Sequence, residues 1–111
     1  MTHIIDRSVL ETLSESVGED FVGELIDTFK EEAPGMFLEM KQALSANDAD
    51  GFRRAAHSLK TNANTFGATE LAEQAKELEY LARENNLKIG NKLELLEEAY
   101  ERVAEELTSL K

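Results

Sequence analysis

The chain has 111 residues, with 23 Asp and Glu against 12 Lys and Arg, a net charge of −11, one proline and no cysteine. This length suits one domain spanning 1–111, and the lack of cysteine removes disulfides, thiolate metal sites and a thiol nucleophile from consideration. The acid excess argues against nucleic acid and anionic membranes, and no long apolar run or signal-like N-terminus occurs, so a cytoplasmic, protein-binding domain is expected, and a monomer because no separate apolar stripe is left over for self-association.

Leu, Ala, Glu and Lys abound, while β-branched and aromatic residues are few, which favours helices throughout. The first is expected from Asp6 to Ser16, with Val9, Leu10, Leu13 and Val17 as its apolar stripe. Asp6 is its N-cap and Gly18 its stop. The second spans Glu19 to Ala46 and repeats Phe21, Val22, Leu25, Ile26, Phe29, Ala33, Phe37, Met40 and Leu44 at helical spacing. Pro34-Gly35 interrupts this stripe without shifting its phase, so a kinked single helix is expected rather than two.

The third helix, Asp48 to Thr65, is capped by Asn47 or Asp48 and closed by a tight turn at Gly67. The fourth runs from Thr69 to Glu84 through Leu71, Ala72, Ala75, Leu78, Leu81 and Ala82, and ends at Asn85-Asn86. The fifth, Asn91 to Leu110, carries Leu93, Leu96, Tyr100, Val103, Leu107 and Leu110. Its glutamates 94, 97, 98, 101, 105 and 106 form a solvated face. Amphipathic helices joined by short turns predict an all-α fold, an antiparallel four-helix bundle with the short first helix as a lid.

Chemistry concentrates on the third helix. Phe52, Ala55, Ala56, Leu59, Ala63 and Phe66 fall on one broad apolar face, and His57 points the opposite way. Arg53, Arg54, Lys60, Thr61 and Asn64 surround it at three- and four-residue spacings. The imidazole is therefore expected in water on a basic, polar ridge. No Asp or Glu occurs from Gly51 to Thr69, and a site that must hold an anion is the simplest reason for such a gap. Asn62 falls at the margin of the apolar face, in reach of the bundle.

The run Ala56-His57-Ser58-Leu59-Lys60, followed by a small polar stretch and Phe66-Gly67-Ala68, resembles the histidine-containing phosphotransfer (HPt) domains. The resemblance extends to the long second helix with Pro34 and to Leu71–Leu81, and so covers nearly the whole chain. It implies a four-helix bundle whose exposed histidine carries a phosphoryl group to or from receiver-domain aspartates in a two-component phosphorelay. His57 matches the phosphorylated histidine, Lys60 the accompanying basic residue and Gly67 the turn glycine. Where many members have Gly after that lysine, this chain has Thr61, which narrows the approach to the imidazole and bears on docking.

A neutral imidazole nitrogen is a competent nucleophile near neutral pH, and Nε2, farther from the backbone, is the expected attacking atom. Lys60 is expected to reach the phosphoryl oxygens as a point charge, with Asn64 as a hydrogen-bond donor. Arg53, Arg54 and Thr61 are expected to face the partner, with Val17 and Phe21 of the first two helices, by analogy with the family. The chain has no phosphate loop and no carboxylate pair for Mg²⁺, so it is read as a carrier without kinase activity. Mg²⁺ is expected only in the partner, a receiver domain of a response regulator or hybrid sensor kinase.

Two rival functions are weighed. A carboxylate-bridged metal bundle needs Glu-x-x-His pairs, and the residue three before His57 is Arg54. A helical adaptor without chemistry, keeping the fold but never modifying His57, is the stronger alternative. His3 is read as a terminal residue without function.

Overall fold

A computed structural model of the protein describes residues 4–110, and His3 lies outside them. Among the described residues there are five helices and no strand: α1 (Arg7–Val17), α2 (Glu19–Ser45), α3 (Ala49–Thr65), α4 (Thr69–Arg83) and α5 (Lys92–Ser109). Each lies within two residues of the boundary expected for it. None is long and apolar enough to cross a membrane.

The helix ends follow from their cap residues. The Asp6 carboxylate accepts the Ser8 amide at 3.0 Å to open α1, and the Gly18 amide returns to the Ser14 carbonyl at 2.8 Å to close it. Of the two candidates for the α3 N-cap, Asp48 takes the role and accepts the Gly51 amide at 3.0 Å. α2 continues unbroken through Pro34, because the apolar phase on either side buries one face.

α2, α3 and α4 end alike. Asn47, Gly67 and Asn85 have φ of 55°, 74° and 59°. After each, the next amide donates back to the carbonyl five residues earlier, Asp48 to Ala43, Ala68 to Ala63 and Asn86 to Leu81, at 2.8, 2.9 and 2.8 Å. This left-handed terminator reverses the chain in few residues.

Packing follows a ring: α2 touches α3 and α5, and α4 touches the same two, while α1 rests on α2 and α3. The predicted α3 face is wholly buried, from Phe52 and Leu59 at 0 % exposure to Phe66 at 2 %. Phe66 stacks on Phe29 of α2 at 5.4 Å between ring centres, and Phe29 meets Tyr100 of α5 edge-on at 5.5 Å. Burying each such side chain contributes about 1.5–3 kcal/mol. α1 departs from expectation: none of its residues is fully buried, and Val17 is exposed. Ile5, just before it, makes the deep anchor instead.

Candidate functional site

The site is built on the α3–α4 hairpin. Its turn, Phe66-Gly67-Ala68, is tight because Gly67 takes a left-handed conformation and also lies under the start of α1. The Asp6 amide donates to the Gly67 carbonyl at 2.8 Å, and a Cβ on Gly67 would stand 2.7 Å from the Asp6 carbonyl oxygen. Small residues line the two facing helices, with Ala55, Ala56, Ala63, Ala72 and Ala75 all buried, so the backbones approach closely. In an antiparallel hairpin, residues equidistant from the turn sit at the same height. His57 and Glu79 are equidistant from Ala68.

At that height the two side chains meet. Glu79 Oε2 lies 2.6 Å from His57 Nδ1, and Glu79 Oε1 accepts a hydrogen bond from Lys60 Nζ, also at 2.6 Å. The guanidinium of Arg83, one turn beyond Glu79, stands 3.6 Å from Oε2. The Glu79 side chain is 4 % exposed, whereas that of His57 is 55 % exposed. A buried carboxylate thus supports the inner edge of a ring whose outer edge faces water.

Burial by itself, the largest single influence, pushes the Glu79 carboxyl upward. The hydrogen bonds from Lys60 and His57, with their charges, outweigh it and hold the carboxyl below its ordinary range. An ionised carboxylate only accepts hydrogen bonds, so Nδ1 carries the proton and donates it. Nε2 is then the nitrogen on the opposite edge of the ring, and in a neutral imidazole it is the one that keeps its lone pair. A residue on another helix has selected the tautomer.

This geometry corrects the acid-free patch read from the sequence. The gap between Gly51 and Thr69 is real along the chain, but Glu79 fills it in space from α4. Asp50, just outside the gap, also reaches it, 2.9 Å from Arg53 and 3.7 Å from Arg54. The Arg53 hydrogen bond holds the Asp50 carboxyl below its ordinary range. Lys60 is likewise not a freely solvated point charge. Its side chain is 23 % exposed and its ammonium is held on Glu79.

The other expected residues scatter around this centre. The Thr61 hydroxyl donates to the His57 carbonyl at 3.1 Å, so it faces its own helix rather than standing free. The Asn62 amide turns back to the Ser58 carbonyl at 2.8 Å instead of bonding into the bundle. Asn64 is exposed two turns past His57. Val17 and Phe21, both exposed, line a shallow depression where α1 meets α2, separate from the imidazole cluster.

Sequence reading missed Glu79 and Arg83. The signal for Glu79 was present: it stands four residues after Ala75 and three before Ala82, an acid in the apolar stripe of α4. Hairpin symmetry about the Gly67 turn would then have set it opposite His57.

The family model described as Hpt domain matches residues 24–108. Phosphorelay protein LuxU of Vibrio harveyi is 28% identical over 86 residues, covering 78% of this chain and 75% of that protein. Its Vibrio cholerae serotype O1 counterpart is 26% identical over 106 residues, covering 91% and 94%. The crystal structure of histidine-containing phosphotransfer protein B (HptB) from Pseudomonas aeruginosa PAO1 superposes with a TM-score of 0.90 at 30% identity, covering 98% of this chain and 95% of that one.

Proposed function

The chain belongs to the Hpt domain family, and from that premise we propose that it is a phosphorelay carrier whose acceptor is His57. The observation that carries this reading is the pairing of Nδ1 with the buried Glu79, which leaves Nε2 nucleophilic and exposed. We also infer that α2 to α5 form the antiparallel four-helix bundle, with α1 as its lid. The closed ring of helix contacts, without contacts across the diagonals among the described residues, supports that architecture.

The proposed partner is a receiver domain bearing a phosphorylated aspartate, with Mg²⁺, where used, held by the partner's own carboxylates. The Nε2 lone pair attacks phosphorus, and the bond between phosphorus and the aspartyl oxygen breaks. Its electron pair returns to the aspartate as a carboxylate. No proton needs to move. The ring, phosphorylated on Nε2 and still protonated on Nδ1, becomes cationic. The Glu79 carboxylate compensates that charge from 2.6 Å, as preorganised electrostatics requires. The reverse step runs through the same atoms and delivers the phosphoryl group to an aspartate.

Lys60 raises the local positive potential from its place on Glu79, and Asn64 extends the polar surround. Arg53, Arg54 and Thr61 lie on the same helix as His57 and form the surface a receiver would cover, with Val17 and Phe21 as apolar contacts. A monomeric, cytoplasmic carrier without kinase activity completes this reading. The adaptor alternative is disfavoured, since it gives no role to a buried carboxylate orienting an exposed imidazole.

The test is transfer from a phosphorylated receiver to the wild type and to His57→Gln. The wild type is expected to gain an acid-labile, alkali-stable phosphoramidate, and the variant none. Equal labelling of both would exclude His57.

A further inference from the structure

The four cations around His57 differ in how firmly they are engaged. Arg53 hydrogen-bonds Asp50 at 2.9 Å, and Arg54 stands 3.7 Å from the same carboxylate. Lys60 is bound to Glu79 at 2.6 Å with only 23 % of its side chain exposed. Arg83 shares that carboxylate but at 3.6 Å, too long for a hydrogen bond, and its side chain is 59 % exposed.

The Glu79 carboxylate carries one negative charge and already accepts two short hydrogen bonds, from His57 and from Lys60. With a neutral imidazole, Lys60 alone balances that charge. Arg83 is then surplus, a positive group across one oxygen atom from the ring that is to carry a phosphoryl dianion. Withdrawing Lys60 would strip a short bond from a carboxylate that is 4 % exposed, which is costly. Swinging Arg83 outward breaks no hydrogen bond, only a 3.6 Å ion pair whose guanidinium is already largely in water, and Glu79 keeps its two short bonds. Its planar fork of donors also suits phosphoryl oxygens better than an ammonium does.

We propose that Arg83, rather than Lys60, is the side chain that meets the transferred phosphoryl group, while Lys60 acts as a positioning residue that anchors Glu79. The inference rests on the phosphotransfer reading above. In the resting protein Arg83 lies near Glu79 Oε2. As the phosphoryl group forms its bond to Nε2, the guanidinium moves to its oxygens. Glu79 keeps Lys60 and the now cationic ring as partners.

The experiment loads wild type, Arg83→Ala, Arg83→Lys and Lys60→Met from a phosphorylated receiver. It then follows the phosphorus NMR resonance of the phosphohistidine and the rate of return transfer across receiver concentrations. Arg83→Ala is expected to shift the resonance and lower the saturated transfer rate about tenfold or more, with KM nearly unchanged. Arg83→Lys should recover part of that rate, and Lys60→Met, acting only through Glu79, should shift the resonance less than Arg83→Ala does. A wild-type rate in Arg83→Ala would overturn the proposal, as would an effect confined to KM, which marks a docking contact. A resonance shifted by Lys60→Met but not by Arg83→Ala would return the role to Lys60. If the wild type itself takes no phosphoryl group while its receiver is phosphorylated, the phosphotransfer reading falls first and this inference with it.

Discussion

Glu79 Oε2 sits 2.6 Å from His57 Nδ1, so a buried carboxylate on α4 determines which nitrogen of an exposed ring on α3 is free to react. Replacing Glu79 with Gln keeps the shape but removes the charge that orients and compensates the ring. A charge-assisted hydrogen bond is worth about 1.5–3 kcal/mol. Transfer to His57 in Glu79→Gln should therefore fall roughly ten- to a hundredfold. Single-turnover kinetics with a phosphorylated receiver reads this directly, and an unchanged rate would reduce Glu79 to a packing role.

The same carboxylate makes stability depend on pH in a defined direction. Its folded pKa lies below the ordinary value of 4.5. The stabilisation from ionised Glu79 is thus fully present above that ordinary value and is lost as pH falls through the lower, folded one. Urea midpoints of wild type and Glu79→Gln should differ most near neutrality and converge in acid. Parallel curves across that range would contradict the assignment.

Lys60 and Glu79 should couple far more strongly than a surface pair. A double-mutant cycle with Lys60→Met and Glu79→Gln is expected to return about 1.5–3 kcal/mol of coupling in unfolding free energy. Lys92 and Glu77, a pair at 2.7 Å with both side chains well exposed, should give about 0–1 kcal/mol. Similar values for the two pairs would mean that burial of Glu79 adds nothing.

Gly67 and Gly90 offer a test of the hairpin turn. Both have positive φ, 74° and 58°, but a Cβ at Gly67 meets Asp6 and Val9 whereas one at Gly90 meets nothing within 4 Å. Gly90→Ala should cost about 1–2 kcal/mol from the left-handed backbone alone. Gly67→Ala should cost more, because α1 must shift as well. Denaturant unfolding that ranked them equally would show that α1 yields freely.

Phe21 is exposed in the α1–α2 depression. Phe21→Ala is expected to leave the unfolding midpoint nearly unchanged while weakening receiver binding about tenfold, as for a typical interface anchor. Calorimetric titration against the cognate receiver checks this. Unaltered affinity would move the docking surface elsewhere.

Helix number, the α3 core face and the exposure of His57 were legible in the amino-acid order, because period-3.6 burial and cap chemistry are local. Phe52, Leu59 and Ala63 must share a face whatever α3 packs against, and Asp48 or Gly67 ends a helix through its own backbone and side chain. The charge environment of His57 was not legible in that way. The acid nearest the ring along the chain is not the one that binds it, and Glu79 reaches Nδ1 only because the Gly67 turn folds α4 back at matching height. Burial then decides the rest. Shielded from water, one carboxylate fixes a tautomer, immobilises Lys60 and leaves Arg83 loosely held, and none of these follows from spacing along one helix.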